Sequence, residues 1–261
     1  MTHARTRVRF RHGAGGLLVA LLVWAPAQWL AWGVSQVSQG QVQWLNARGT
    51  VWSGSAHLVL SGGPGSQDRQ ALPGRLNWTL SPLWTGLRLS WQADCCMSQA
   101  AHWQFQVGGS KLQIQASDHV SQWPAALLTG LGAPWNSLQP AGQLRLRTQG
   151  LQLVWTGGHL QMSGLAELQL NNMSSRLSST RPIGSYQLEL RAPPEGSPTP
   201  SLQLSTLQGP LLISGEGQWV GARLRFTGEA SAQEGHESAL NNLLNILGRR
   251  QGAHCQGWQR L

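Results

Sequence analysis

The sequence predicts an all-β fold: an N-terminal transmembrane helix followed by a curled antiparallel β-sheet, a half-barrel or a sandwich, with one or two short helices. Three observations predict it. About a dozen short segments alternate apolar and polar residues, with turn signals every ~8–12 residues, which is the pattern of an all-β meander. Charged residues make up only 11% of the 261, against 32 glycines; helices of a soluble protein would carry more charge on their outer faces. Residues 13–34 form one apolar run whose only strongly polar side chain is Gln28.

At about 1.5 Å per residue, that run is long enough to cross a bilayer core as a helix. Arg5, Arg7, Arg9 and Arg11 precede it and nothing comparable follows. The positive-inside rule therefore keeps the N-terminus in the cytoplasm and sends the remainder across. Trp24, Trp29 and Trp32 suit an interfacial belt at the far end. A cleavable signal peptide is the rival reading, with Leu17–Trp24 as its core and Ala25-Pro26-Ala27 as its cleavage region. The apolar run continues through Trp29, Leu30 and Trp32, which favours an uncleaved anchor.

Residues 35–48 are polar, with glutamines at intervals, and read as a juxtamembrane connector. Residues 49–60 read as the first strand: Val51 and Trp52 enter it, Ser53-Gly54-Ser55-Ala56 keeps it slim, and Leu58 and Leu60 alternate with His57 and Val59. A glycine-rich loop follows at 61–70. Alternation resumes at 74–80 and 86–91. Trp103, Phe105 and Val107 then share a face, Gly108-Gly109 turns the chain, and Leu112 and Ile114 return, a hairpin pattern. In 118–131, Val120, Trp123, Leu127, Leu128 and Leu131 fall at helical spacing, interrupted near Pro124 and capped by Asp118 or Ser121.

A second β series begins at Gly142. Its strands hold Leu144 and Leu146; Leu151, Leu153 and Trp155; Leu160 and Met162, continuing through Leu170; and Tyr186, Leu188 and Leu190. Leu202 and Leu204, Leu211 and Ile213, and Leu224 and Phe226 complete the series. In 238–247, Leu240, Leu243, Leu244 and Leu247 recur at helical spacing and Gly248 stops the run. This helix either caps the end of the sheet core or docks on a membrane surface.

The composition narrows the function classes. Net charge is +9, four units of which lie in the N-terminal arginines, and Lys111 is the only lysine. No basic recognition module accompanies this charge, so nucleic acid is not an expected partner. No nucleophile elbow, P-loop, H-E-x-x-H or C-x-x-C is present, and the ten acidic residues are scattered. An enzyme is not expected, and no catalytic, cofactor-binding or metal-ligating residue is assigned. His57, His102 and His159 fall on expected strands as surface or hydrogen-bonded residues. Of the three cysteines, Cys95 or Cys96 is placed to bridge Cys255 in an oxidising compartment; the alternative is three free thiols. Trp52, Trp78, Trp91, Trp103 and Trp155 are the candidate apolar-face residues, filling the core or lining an exposed groove. Arg75, Arg88, Arg145, Arg147, Arg223 and Arg225 fall on the polar phases of strands.

Several stretches resemble one family. They are the basic N-terminal end, the anchor containing Ala25-Pro26-Ala27, and the early Gly49-Thr50-Val51-Trp52-Ser53-Gly54-Ser55-Ala56. Leu76-Asn77-Trp78, Leu80-Ser81-Pro82-Leu83, Pro182-Ile183-Gly184-Ser185-Tyr186 and the helix end at Leu243-Leu244 follow in order. The chain resembles type II secretion system protein N, the general secretion pathway N component. The resemblance implies an inner-membrane protein with a periplasmic β domain, acting in export of folded proteins across the outer membrane. The implied domains are a cytoplasmic N-terminus (1–12), a transmembrane helix (13–34), a connector (35–48), a periplasmic β domain (49–250) and a flexible tail (251–261). Other secretion subunits are the expected partners, and no cofactor is expected. The alternative is a carrier module whose curled sheet holds lipid or another apolar ligand.

Overall fold

The computed structural model of the protein describes residues 23–157, 159–193, 199–220, 223–247, 249–251 and 254–256. The expected cytoplasmic end at 1–12, the first ten residues of the expected span, and residues 252–253 and 257–261 of the expected tail lie outside the described residues.

Sixteen described strands form one open antiparallel sheet. The first is β1 (Val42–Gly49), paired with β2 (Ser53–Ser61). β3 (Arg69–Ala71) and β4 (Leu76–Leu83) share β2, one on each half of it. β5 (Gly86–Ala93), β6 (Ala101–Gly108) and β7 (Lys111–Ala116) continue the meander. β7 and β8 (His119–Pro124) both pair with the long β9 (Ala141–Thr156), again on separate halves. Then come β10 (His159–Ser174), β11 (Gly184–Arg191), β12 (Ser201–Gln208), β13 (Leu211–Val220) and β14 (Arg223–Ala232), each against the one before. β15 (Arg249–Gln251) and β16 (His254–Gln256) finish the sheet, with β16 against β14.

Because neighbouring strands are antiparallel, the turns β1–β2, β4–β5, β6–β7 and β9–β10 all fall at one end, called here the lower end. The upper end carries the helical pieces. A 3-10 helix (Ala125–Leu131) and a short α-helix, here α2 (Trp135–Leu138), follow β8. α3 (Glu237–Leu247) follows β14. At the start of the sheet, α1 (Ala27–Val37) packs mainly against β1.

Several expectations change. Among the described residues no helix is long and apolar enough to cross a membrane. The expected span does not run unbroken through 34, because Pro26 is extended (φ −69°, ψ 145°) and α1 begins only at Ala27. Pro26 instead bridges Thr50, and Val51 N–H donates to Ala25 C=O at 2.8 Å. The expected connector at 35–48 contains the end of α1 and nearly all of β1. The expected first strand at 49–60 is two elements, with Val51 and Trp52 in the turn between β1 and β2. Residues 118–131 are β8 followed by a 3-10 helix. Their apolar spacing looked helical because a strand and a 3-10 turn happen to place large side chains three and four residues apart. Asp118 and Ser121 cap nothing there: the Asp118 carboxylate accepts from Gly150 N–H at 2.6 Å, and Ser121 Oγ accepts from Trp123 Nε1 at 2.8 Å. β9 fuses two expected strands, and β10 is the one long run expected from Leu160 through Leu170, extended to Ser174. Gly150 and Gly164, both at positive φ, let the paired strands pass through a bulge instead of turning. The Gly108–Lys111 hairpin and the C-terminal helix form where the alternation and the leucine spacing place them.

Register partners share a face, so the alternation sorts the sheet cleanly. The polar face carries rows such as Gln104, Gln115 and Gln152. The apolar face is covered in three places. Leu72, Leu76, Ala93, Met97 and Leu127 form one buried cluster at the upper end of β2–β6. Leu144, Ile183, Tyr186 and Leu211 form another with Leu240, Leu243 and Leu244 of α3. Ala27 of α1 joins Ala56 and Trp78 in a third. Among the described residues, the lower half of the apolar face between β5 and β10 has no such cover.

Candidate functional site

The strands bring three of the five singled-out tryptophans together. Trp78 and Trp91 are register partners on β4 and β5. Trp103 on β6 meets Trp91 edge-on, with ring centroids 6.2 Å apart. Trp78 is buried, Trp91 half-buried and Trp103 exposed, so burial declines along the row from β4 to β6. Trp155 lies further along the same face on β9 and is 50% exposed. Trp52 lies apart, half-buried in the β1–β2 turn. Two aromatic partners are not among the five candidates: Trp44, which the sequence reading does not single out, and Trp123, which it places in a helix. Trp44 packs on Trp78 at 4.8 Å, and Trp123 stacks on Trp91 at 6.2 Å. Alternation in Gln41-Val42-Gln43-Trp44 was the available signal for the first.

Gly54 explains part of this arrangement. A Cβ there would stand 2.6 Å from the Trp78 ring and 2.5 Å from the Arg48 carbonyl oxygen, so only glycine lets β1, β2 and Trp78 close together. Trp78 Nε1 donates to Val51 C=O at 3.1 Å, which fixes the β1–β2 turn against β4.

Below this cluster the apolar face opens by degrees: Met162 is buried, Phe105, Ile114 and Leu153 are half-buried, and Leu87 is exposed. Leu87, Phe105, Ile114, Leu153 and Met162 are successive register partners across β5, β6, β7, β9 and β10. The next row down is Val107, Leu112, Trp155 and Leu160. All four of these side chains are exposed, Val107 to 62%. At a strand spacing of about 4.8 Å, the row spans roughly 14 Å. Such a strip can bind an apolar surface; it holds no group able to carry out acid, base or nucleophilic chemistry.

The polar face is built for cohesion. Arg75 donates through Nε to Ser55 Oγ at 3.0 Å and through one terminal nitrogen to Asn46 C=O and Ser55 C=O at 2.9 and 3.0 Å. Its other terminal nitrogen donates to His57 Nε2 at 3.0 Å. A guanidinium only donates and a carbonyl only accepts, so His57 must carry its proton on Nδ1, facing Gly74 C=O at 3.0 Å. Arg145 and Arg147 stand opposite Gln169 and Glu167. The like-charged neighbours Glu167 and Glu189 are each bound by an adjacent glutamine, Gln169 and Gln187. Arg191 bonds Glu189 at 2.7 Å and, with Gln187, holds that carboxyl below its ordinary range despite some burial.

Two polar hollows open on the molecule. One, of about 460 Å³, is lined by Arg48, Ser55, Asn77, Thr79 and Gln92 among others. The second, of about 430 Å³, is lined by Asp118, His119, Arg147 and Gln149 among others. Burial, and then the nearby His102, holds His119 below the ordinary histidine range. The Asp118 carboxylate in the same hollow accepts from the Gly150 N–H at 2.6 Å. Among the described residues, no group of three or more His, Cys, Asp and Glu converges to hold a metal.

The cysteines differ from expectation. Cys95 and Cys96 are bonded to each other, which leaves neither for Cys255. They lie in the tight turn after β5, where Cys96 and Met97 N–H both donate to Ala93 C=O. Cys255 is on β16, beyond β14 and far along the strand order from β5.

Tyr186 is the only tyrosine of the chain. Its hydroxyl, buried, donates toward Leu211 C=O at 3.1 Å, and its ring folds over Gly184, where a Cβ would lie 2.6 Å from the phenol oxygen. Burial pushes its pKa well above the ordinary tyrosine range. The unfolded chain releases this proton near pH 10 and the folded chain does not, so stability is intact below about pH 10 and falls as pH rises beyond it. We expect tyrosinate absorbance at 295 nm to appear only as the alkaline protein unfolds. We expect Tyr186→Phe to cost about 1 kcal/mol at neutral pH and to remove that part of the alkaline slope, as read by urea unfolding at several pH values.

A family model described as "Type II secretion system (T2SS), protein N" matches residues 40–255. No curated protein and no solved structure matches the chain. The matched span takes in every strand of the sheet except the last residue of β16, and excludes α1.

Proposed function

The chain belongs to the type II secretion system protein N family, and on that premise we propose that it is a non-enzymatic, inner-membrane-anchored periplasmic component of the secretion machine. In this reading the N-terminus is cytoplasmic, one apolar helix holds the chain at the membrane, and the sheet supports export of folded proteins through contacts with other secretion subunits. The family match over the sheet is the observation that carries it. The molecule offers two surfaces for such contacts: the open apolar strip from Leu87 to Leu160 and the arginine- and glutamine-rich polar face. Strand addition at a sheet edge is the third route.

Deleting the gene is expected to leave the secreted proteins trapped in the periplasm, with secretion restored by the full-length chain. Fractionation of culture medium and periplasm, with assay of one secreted enzyme in each, reads the result. Unchanged secretion in the deletion strain overturns the proposal.

The open strip favours a second reading, a carrier that holds lipid or another apolar ligand against Phe105, Ile114, Leu153 and Trp155. That reading expects altered outer-membrane permeability with secretion intact, and lipid co-purifying with the sheet.

A further inference from the structure

We infer that the lower end of the sheet rests on a phospholipid bilayer bearing anionic headgroups, so that the domain stands on the membrane with its strands' lower turns in the interface. The inference rests on the membrane-anchored reading above and adds the surface that touches lipid. Six described tryptophans are exposed, and five of them gather at this end. Trp84, at the tip of the β4–β5 turn, is fully exposed, and Trp24, just before α1, is 74% exposed. Trp155 ends β9. Trp29 and Trp32 are exposed on the first turns of α1, which starts at the lower end because Pro26 bridges Thr50 in the β1–β2 turn. The sixth, Trp103, lies just above on the open apolar face. Val107, Leu112 and Leu160 complete the rim beside Trp155.

Indole combines a large apolar body with one N–H donor, which suits the boundary between headgroups and acyl chains. The charge agrees. The lower parts of β1, β5 and β7 carry Arg48, Arg88 and Lys111, all exposed, and the sequence holds no carboxylate in 46–57, 79–92, 103–114 or 150–164; toward the lower end of β11, Glu189 is paired with Arg191. The chain path agrees as well. Val23 and Trp24 lead into α1 from this end, and the sequence before them is the apolar run 13–22 behind four arginines. The aromatic residues come from separate turns and strand ends, a rim of projections that meets a broad flat surface better than a single protruding partner.

The test uses the full-length chain reconstituted in vesicles of phosphatidylethanolamine and phosphatidylglycerol with brominated acyl chains, which quench only nearby tryptophans. Wild type is compared with Trp84→Phe, Trp155→Phe and, from α2 at the opposite end, Trp135→Phe. Both rim variants are expected to lose quenchable emission, and Trp135→Phe to lose only emission that bromine does not reach. If Trp84→Phe and Trp155→Phe leave the quenchable emission unchanged, the rim is not in the bilayer and the inference fails, whatever protein covers that end. Carbonate extraction and the secretion assay are run on the same chains. A chain that stays in the carbonate pellet and supports secretion without rim quenching overturns only the rim contact. Rim quenching in a chain that does not support secretion overturns only the proposed function.

Discussion

Trp78→Ala is expected to destabilise the protein by about 3–5 kcal/mol, the range for deleting a buried aromatic side chain. Trp78 is 3% exposed, and four contacts depend on it. It packs on Trp44 of β1, it covers Gly54 of β2, and its Nε1 holds the Val51 carbonyl. It also shares a buried cluster with Ala27 and Ala56, against which Leu30 of α1 packs. Gly54 has no side chain to refill the space, so the cavity stays open and the cost falls high in the range. The substitution also leaves the Val51 carbonyl without its indole donor, at a turn that Ala25 helps to hold. Urea unfolding distinguishes two outcomes. A lower midpoint at unchanged slope means that the whole sheet has lost stability. A changed slope means that α1 has come away from β1 before the sheet unfolds. A wild-type midpoint would remove Trp78 from the core.

Much of this arrangement was legible in the chain, because antiparallel strands with one covered face must alternate. Trp78, Trp91 and Trp103 each occupy an apolar phase, and the structure places them on one face. The Gly108-Gly109 pair marks its hairpin, since the residues on either side alternate in opposite directions toward it. What the sequence hid is long-range. β1 was missed because Asn46 and Arg48 interrupt its pattern and because α1 lies against it, so its burial does not follow a simple two-residue period. The strip on the lower half of the apolar face could not be read from Leu112 or Trp155 alone. Whether such residues are covered depends on where α1, the 3-10 helix and α3 land, and those contacts join residues far apart in the chain, Ala27 with Trp78, Leu72 with Leu127 and Tyr186 with Leu240 among them. The five exposed tryptophans of the lower end are a clearer case still. They come from an apparent membrane segment, a turn and a strand end, and only the register shows that they share one rim.

The C-terminal helix is where structure decides between the two roles its sequence allowed. Leu240→Ala is expected to cost about 2–5 kcal/mol, as for a leucine removed from a packed core. Leu240 is fully buried, and Leu243 and Leu244 beside it are 2% and 4% exposed. All three join Leu144, Ile183, Tyr186, Leu211 and Ala230, side chains from β9, β11, β13 and β14 and the loop before β11. One small helix thus covers the upper ends of distant strands, and an alanine at 240 opens a hole where they meet. Asn242, exposed on the other side of α3, is the control, since a surface change there should stay within about 0.5 kcal/mol. Thermal or urea unfolding of the two variants reads the difference. A helix that served to dock on a membrane would give the opposite result: Leu240→Ala would keep wild-type stability and lose membrane contact instead. The burial of Leu240 argues for the cap.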